Sequence, residues 1–286
     1  MTSNFKSGFV TIIGRSNVGK STLMNTMVGT KLAAVTDKPQ TTRNIIHGVL
    51  NSAQGQAVFV DTPGIFKEKR GPMSGKLTER AKEATKNVDL IIYIVDPANS
   101  IGAEERYALS LIRNLTVPKL LVLNKSDLPE EEKQFLDDYK ALAPDFTAMF
   151  ELSALRNRHV QPLVEKVFEL LPEGEPLYTD NQITNIGRDF WLAEIIREKI
   201  FKALRKEVPY STHVEIMDVE EKPELFVIKA VIYTNDSRYK KMIIGAGGRA
   251  IKEIGIAARK ELETALNKKV YLELEVEKDA RWQERV

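Results

Sequence analysis

The chain has 286 residues, 42 Lys and Arg against 40 Asp and Glu, a formal net charge of +2 and no cysteine. That length supports two ordinary cores, while the missing cysteine excludes a disulfide framework and thiolate zinc sites and fits a reducing compartment. A charge near zero excludes a bulk nucleic-acid footprint, so any such surface must be local; the opening MTSNFKSGFV has no apolar leader core, and runs such as residues 90–95 are far too short to span a membrane.

Up to residue 171, short runs rich in Val, Ile and Leu predict strands over residues 9–13, 45–50, 57–60, 90–95, 119–123 and 147–151. Helical patterns lie between them, over 20–28, 74–87, 103–115, 130–143 and 160–170. This alternation predicts an α/β domain with a mostly parallel sheet and helices on both faces. Ligands of such sheets bind outside the carboxyl ends of the strands, and each motif below falls at such an end.

The first is Gly14-Arg15-Ser16-Asn17-Val18-Gly19-Lys20-Ser21, a phosphate-cradling loop between a strand and a helix. Its glycines let backbone N–H groups converge on an anion, with the helix dipole aimed at the same place. Lys20 supplies charge for the β- and γ-phosphates, and the Ser21 hydroxyl is placed to hold Mg²⁺. The polar stretch Pro39-Gln40-Thr41-Thr42-Arg43-Asn44 can close over the phosphates as a first switch, with Thr42 rather than Thr41 completing the Mg²⁺ shell while the γ-phosphate is present. Asp61-Thr62-Pro63-Gly64-Ile65 forms the second switch, Asp61 holding Mg²⁺ through water and the Gly64 N–H meeting the γ-phosphate.

Asn124-Lys125-Ser126-Asp127 follows the strand at 119–123. The Asp127 carboxylate can accept from guanine N1–H and the C2 amine, donors that adenine lacks. Asn124 can tie this loop to the phosphate loop and reach the purine N7, while the Lys125 stem lies across the ring. Ser153-Ala154-Leu155 ends the next strand, where the Ala154 N–H is placed to donate to guanine O6. Together these predict a guanine-nucleotide site. No nucleophile–base pair implies covalent catalysis, and His47, His159 and His213 are not spaced as metal ligands.

These five segments resemble the translation-factor-related GTPases, and the combination of QTTR, DTPG, NKSD and SAL is similar to the Era branch. Where many GTPases place a water-orienting glutamine after the DxxG turn, this chain has Ile65, which predicts slow intrinsic hydrolysis. In relatives that lack the glutamine and carry an asparagine in the phosphate loop, K⁺ is held against the phosphates. The resemblance extends that role to Asn17, but the residue by itself also reads as one that tolerates a left-handed loop, and both readings stay open.

Residues 171–182 lose periodicity and carry Pro172, Gly174 and Pro176, which predicts domains over 1–172 and 185–286 with a linker over 173–184. Beyond it the patterns predict a helix over 190–207, strands over 213–219 and 225–233, a helix over 249–266 and a strand over 270–276. Between the middle strand and the last helix, Ile244 leads into Gly245-Ala246-Gly247-Gly248-Arg249, with Lys240, Lys241 and Lys252 alongside. This resembles the G-x-x-G loop of an α+β type II KH module, which clamps the backbone of about four nucleotides while bases are read in an adjacent groove.

A GTPase domain followed by a KH module is the layout of the Era family. The resemblance implies a bacterial ribosome-assembly GTPase that uses GTP/GDP and Mg²⁺, with K⁺ added if the ion-holding reading of Asn17 is the right one, and binds 16S rRNA near its 3′ end on the 30S subunit. It also implies work in the cytoplasm, with loose attachment to the inner membrane face in some members, and no DNA partner. Two other readings fit the residues: an RNA-binding module whose nucleotide site is structural, and a KH-like domain that binds protein or membrane. The first separates from a switch on whether RNA affinity differs between nucleotide states.

Overall fold

In a computed structural model the described residues are 5–36, 38, 45–62, 83–180 and 182–284. They fall into two compact units, Met1–Asn185 and Ile186–Val286.

The first unit is built on β1 (Lys6–Ile13), β2 (Ile46–Ser52), β3 (Gly55–Asp61), β4 (Leu90–Val95), β5 (Lys119–Leu123) and β6 (Ala148–Glu151). Their order is β2-β3-β1-β4-β5-β6, with β2 antiparallel to β3 and every other pair parallel. The helices are α1 (Lys20–Val28), α2 (Ala103–Ile112), α3 (Leu136–Lys140) and α4 (Gln161–Leu170). Ile91, Tyr93 and Val95 of β4 pack with Ala108 and Ile112 of α2 and Tyr139 of α3. Ile92 and Ile94 point the other way and are just as buried, so both sheet faces are covered, which is why β4 reads as unbroken apolar sequence. Strand β1 has β3 on one side and β4 on the other, so a crevice opens at its carboxyl end.

In the first unit three segments differ from the sequence expectation, and residues 74–82 of the helix expected over 74–87 lie outside the described residues. The helix expected over 130–143 is a 3₁₀ turn, Glu130–Glu132, then α3, then a second turn, Ala143–Asp145. Lys133, almost fully buried, leaves helical geometry (φ −96°, ψ 44°) with its ammonium 2.6 Å from Glu130, and the Phe135 N–H donates to the Pro97 carbonyl. The helix expected over 103–115 stops at Ile112.

Residues 173–184, expected to be a linker, run along the first unit. The Gly174 N–H donates to the Phe5 carbonyl, the Val49 N–H to the Ile183 carbonyl, and Gly48 bridges Thr184. Gln56, fully buried, accepts from the N–H groups of Leu177 and Tyr178 at 2.7 and 2.8 Å and donates to the Tyr178 carbonyl at 2.8 Å. The segment thereby covers the outer edge of β2, an edge that would otherwise expose unpaired backbone groups.

The second unit comprises α5 (Arg188–Ala203), β7 (Thr212–Glu221), β8 (Leu225–Thr234), α6 (Ser237–Ile244), α7 (Arg249–Leu266) and β9 (Lys269–Lys278). The sheet order is β7-β8-β9, with β7/β8 antiparallel and β8/β9 parallel. Ile196 and Ile200 of α5 and Ile254 and Ala258 of α7 pack on the face bearing Ala230, Ile232 and Val276. On the opposite face Trp282, fully buried, covers Val231 and Tyr233 and stacks on His213 at 5.7 Å. The helix expected over 190–207 ends at Ala203, because Leu204 turns extended (ψ 158°). Helix α6 has no counterpart in the sequence reading; its signal is Asp236, whose side chain caps the helix by accepting from the Arg238 N–H at 2.7 Å. Among the described residues, no helix is long and apolar enough to cross a membrane.

Candidate nucleotide and RNA sites

The phosphate loop leaves the buried end of β1 at Gly14, where a Cβ would lie 2.3 Å from the Ile94 carbonyl oxygen. Gly19 has φ +103°, and a Cβ there would meet Asn124 Nδ2 at 2.3 Å. Only glycine fits either place. Asn17 also sits in the left-handed region, at φ +62°. Lys20, buried at the start of α1, donates to the carbonyls of Gly14 and Arg15 at 3.1 and 2.7 Å. Burial lowers its pKa to about 8, against the pull of Asp61, Glu105 and Glu104.

Ser21 Oγ donates to Asp61 Oδ2 at 2.6 Å, bringing together two residues 40 positions apart in the chain. Asp61 is fully buried at the end of β3, and Thr62 is pinned by its hydroxyl on the Ile12 carbonyl at 2.9 Å. A hydroxyl and a carboxylate beside a phosphate loop are the hard oxygen donors that Mg²⁺ takes, its remaining positions going to phosphate and water. The donor set fits the ion.

On the base side, Asn124 Nδ2 donates to the Val18 carbonyl at 2.7 Å, tying the two loops together. Its Oδ1 accepts from the Ala154 N–H at 2.9 Å. The sequence expectation points that N–H at guanine O6; here a buried amide takes a side-chain partner instead. Lys125, at φ +63°, has its ammonium anchored on Asp96 at 2.7 Å. Asp127 lies 4.0 Å from Arg156 Nε. Ser153 is buried, and its Oγ accepts from the Arg156 N–H at 3.1 Å, while Leu155 is 72% exposed. Ser16 and Thr22 line one cleft together with Ala34, Val35, Thr36 and Lys38. Gln40, Thr41, Thr42, Arg43, Asn44, Pro63, Gly64 and Ile65 lie outside the described residues.

The sequence reading misses three residues that hold this site. Asp96 closes β4, at the same sheet end as the other motifs, and also caps the Ala98 N–H at 3.1 Å. Asn25 accepts from the N–H groups of Leu32 and Ala33 at 2.9 and 3.0 Å, fixing the approach to the facing wall. Thr26 Oγ donates to the Ala154 carbonyl at 2.9 Å. Asp96 is within reach of sequence reasoning by position; Asn25 and Thr26 look like ordinary helix residues.

In the second unit, Gly245, Gly247 and Gly248 have φ of +76°, +58° and +78°, forming the turn between α6 and α7. A Cβ on Gly245 would lie 2.8 Å from Ala250, whereas Gly247 and Gly248 face open space. Ile244 is half-buried against the core, and Arg249 is paired with Glu253 at 3.0 Å. Lys241 and Lys252 are exposed, and Lys240 is half-exposed. Beside the turn, α7 and β9 flank a groove of about 320 Å³. Lys252 and Arg259 edge it, and Ile256 and Tyr271 are 49% and 55% exposed along it. A positive rim and an exposed aromatic suit single-stranded nucleic acid. Arg259, Ile256 and Tyr271 escape the sequence reading, because only the packing of α7 against β9 brings them to one groove.

Two family models match the chain: a 50S ribosome-binding GTPase over residues 9–125 and a KH domain over residues 207–283. GTPase Era of Carboxydothermus hydrogenoformans is 41% identical, the match covering 98% of this chain and 94% of that protein. GTPase Era of Caldicellulosiruptor saccharolyticus is likewise 41% identical, with 98% and 94% covered. A crystal structure of Era in complex with MgGDPNP and nucleotides 1506–1542 of 16S ribosomal RNA superposes with a TM-score of 0.90 at 36% identity, covering 98% of this chain and 96% of that one. A point variant of Aquifex aeolicus Era bound to GDP.AlF4⁻ gives the same TM-score, identity and coverage. With a phosphate loop tied through Asn124 to an NKSD loop, and a glycine turn in a KH-like second unit, the chain belongs to the Era family of GTPases.

Proposed function

We propose that this chain is a GTP-hydrolysing switch whose second unit binds 16S rRNA near its 3′ end and acts in assembly of the 30S subunit. The observation that carries the reading is the Asn124 side chain, which joins the phosphate loop at Val18 to the base loop at Ala154. In this reading Lys20 and the N–H groups of residues 16–21 hold the phosphates. Ser21 and Asp61 hold Mg²⁺, which when bound supplies positive charge against the phosphate oxygens. Thr42 and Gly64 complete the γ-phosphate side.

Asp127 reads the guanine edge, and it carries most of the base discrimination because the Ala154 N–H is engaged by Asn124. Ile65 cannot orient water, so turnover without a partner is slow. Asn17, in the left-handed region, would hold K⁺ against the phosphates and so supply positive charge there; faster hydrolysis in KCl than in NaCl supports that role, and equal rates remove it. The Gly245–Gly248 turn and its lysines clamp the RNA backbone, and the Tyr271 groove receives bases. Such a partner locates the work in the cytoplasm; peripheral attachment to the inner membrane face is tested by flotation with anionic vesicles.

The test of the whole reading is binding of a 3′-terminal 16S rRNA fragment by the full chain with a non-hydrolysable GTP analogue. Saturable binding that competes with unlabelled fragment supports it. Absence of binding returns the second unit to a protein- or membrane-binding role.

A further inference from the structure

One buried acid has no part in nucleotide chemistry as described. Glu105, in the first turn of α2, has no solvent exposure. Its Oε2 accepts from the Tyr93 hydroxyl at 2.6 Å, and its Oε1 lies 3.5 Å from Arg15 Nε. Burying a carboxylate is costly unless it is paired, and the guanidinium it meets belongs to the phosphate loop. The Arg15 carbonyl in turn accepts from Lys20 Nζ at 2.7 Å. A chain of contacts therefore runs from Glu105 on α2 through Arg15 to the lysine that faces the phosphates. Burial pushes the Glu105 carboxyl up, and Tyr93, Arg15 and Lys20 pull it back toward the charged form.

We propose that Glu105 is a positioning residue for the phosphate loop: through its contact with the Arg15 side chain it fixes the peptide whose carbonyl holds Lys20, and so raises nucleotide affinity from outside the site. The inference rests on the nucleotide-site reading above. It also accounts for a charged residue on the core-facing side of α2, where an apolar residue would pack at less cost.

The test is a double-mutant cycle in the full chain, reading the dissociation constant for fluorescent GDP together with the thermal midpoint. Glu105→Gln keeps the side-chain volume and can still accept from Tyr93; Arg15→Met removes the guanidinium. Each single change should weaken binding about tenfold, and the double variant should match Arg15→Met within about twofold, as expected for residues acting through one contact. Tyr93→Phe removes a partner of Glu105 other than Arg15, leaving Tyr139 beside it, and serves as the packing control: it should lower the midpoint and leave affinity within about twofold of wild type. Additive losses in the cycle, unchanged affinity in Glu105→Gln, or an equal affinity loss in Tyr93→Phe would overturn the proposal. A wild-type chain that binds no fluorescent GDP would overturn the nucleotide reading itself, a distinct result.

Discussion

Ser21 Oγ donates to Asp61 Oδ2 at 2.6 Å, joining the first turn of α1 to the end of β3. Both oxygens are hard donors, and both sit where the phosphate loop turns into its helix. Ser21→Ala removes one donor and the bond that orients the other, so Mg²⁺-dependent GTP hydrolysis should fall by about 10²-fold or more. Steady-state phosphate release across a Mg²⁺ titration reads this; hydrolysis that saturates at the wild-type rate would remove Ser21 from the metal site.

Asp127→Asn replaces the carboxylate proposed to accept from guanine with an amide that presents a donor. GTP affinity should fall by roughly 10²-fold or more while xanthosine triphosphate gains. Competition of both nucleotides against fluorescent GDP measures the exchange, and undiminished GTP preference would mean that Ala154 or Asn124 reads the base.

Lys20 ties charge to pH. The unfolded chain keeps this proton up to about 10.5, whereas burial lowers the folded value to about 8. The folded state is therefore penalised by roughly 3 kcal/mol below pH 8, and the penalty fades as pH rises toward 10.5. Nucleotide affinity runs the opposite way, because deprotonation removes the charge that meets the phosphates. Between pH 8 and 10.5 the stability of wild type relative to Lys20→Met should rise, and GDP affinity should decline. Parallel denaturant melts and GDP titrations over that window check both signs.

Gln56→Leu should free the segment at Leu177 and Tyr178. The side chain is fully buried and makes three backbone hydrogen bonds to that segment, so losing it costs about 2–4 kcal/mol. Amide exchange at residues 177 and 178 should quicken at least tenfold; unchanged protection would mean that the Val49–Ile183 and Gly48–Thr184 contacts hold the segment alone.

The legible parts of this molecule are those where local sequence and chemistry coincide. The phosphate loop, the Asn124 tie to it, the unbroken apolar strands and the strand at 270–276 all declare themselves in runs of a few residues. What stays hidden depends on contacts between distant positions. Residues 173–184 read as a linker because proline and glycine suppress periodicity, yet Gln56, more than a hundred residues earlier, sets their path. The 130–143 pattern looks like one helix because nothing local shows that Lys133 is buried and Phe135 bonds to Pro97. The role of Ala154 at O6 follows from its place at a strand end, and the competing acceptor, Asn124 Oδ1, emerges only when the two loops meet. Helix α6 escapes notice although Asp236 offers a cap, since the basic residues after it draw attention to the glycine turn.

Gly247→Asp places a charged side chain on an exposed turn at φ +58°, where it both strains the backbone and meets RNA phosphate. Affinity for a 3′-terminal 16S rRNA fragment should drop at least tenfold, beyond any loss of thermal midpoint from the backbone strain. Retained affinity in a fluorescence anisotropy titration would move the RNA contact away from the turn.

The central claim is that the nucleotide held at Gly14–Ser21 governs RNA binding by the second unit. The direct measurement is the affinity of the full chain for that RNA fragment, saturated in turn with a non-hydrolysable GTP analogue and with GDP, at one salt concentration. The account predicts at least tenfold tighter binding in the GTP-analogue state, a coupling of about 1.4 kcal/mol. Equal affinity in the two states would contradict it and leave an RNA-binding protein whose nucleotide is structural.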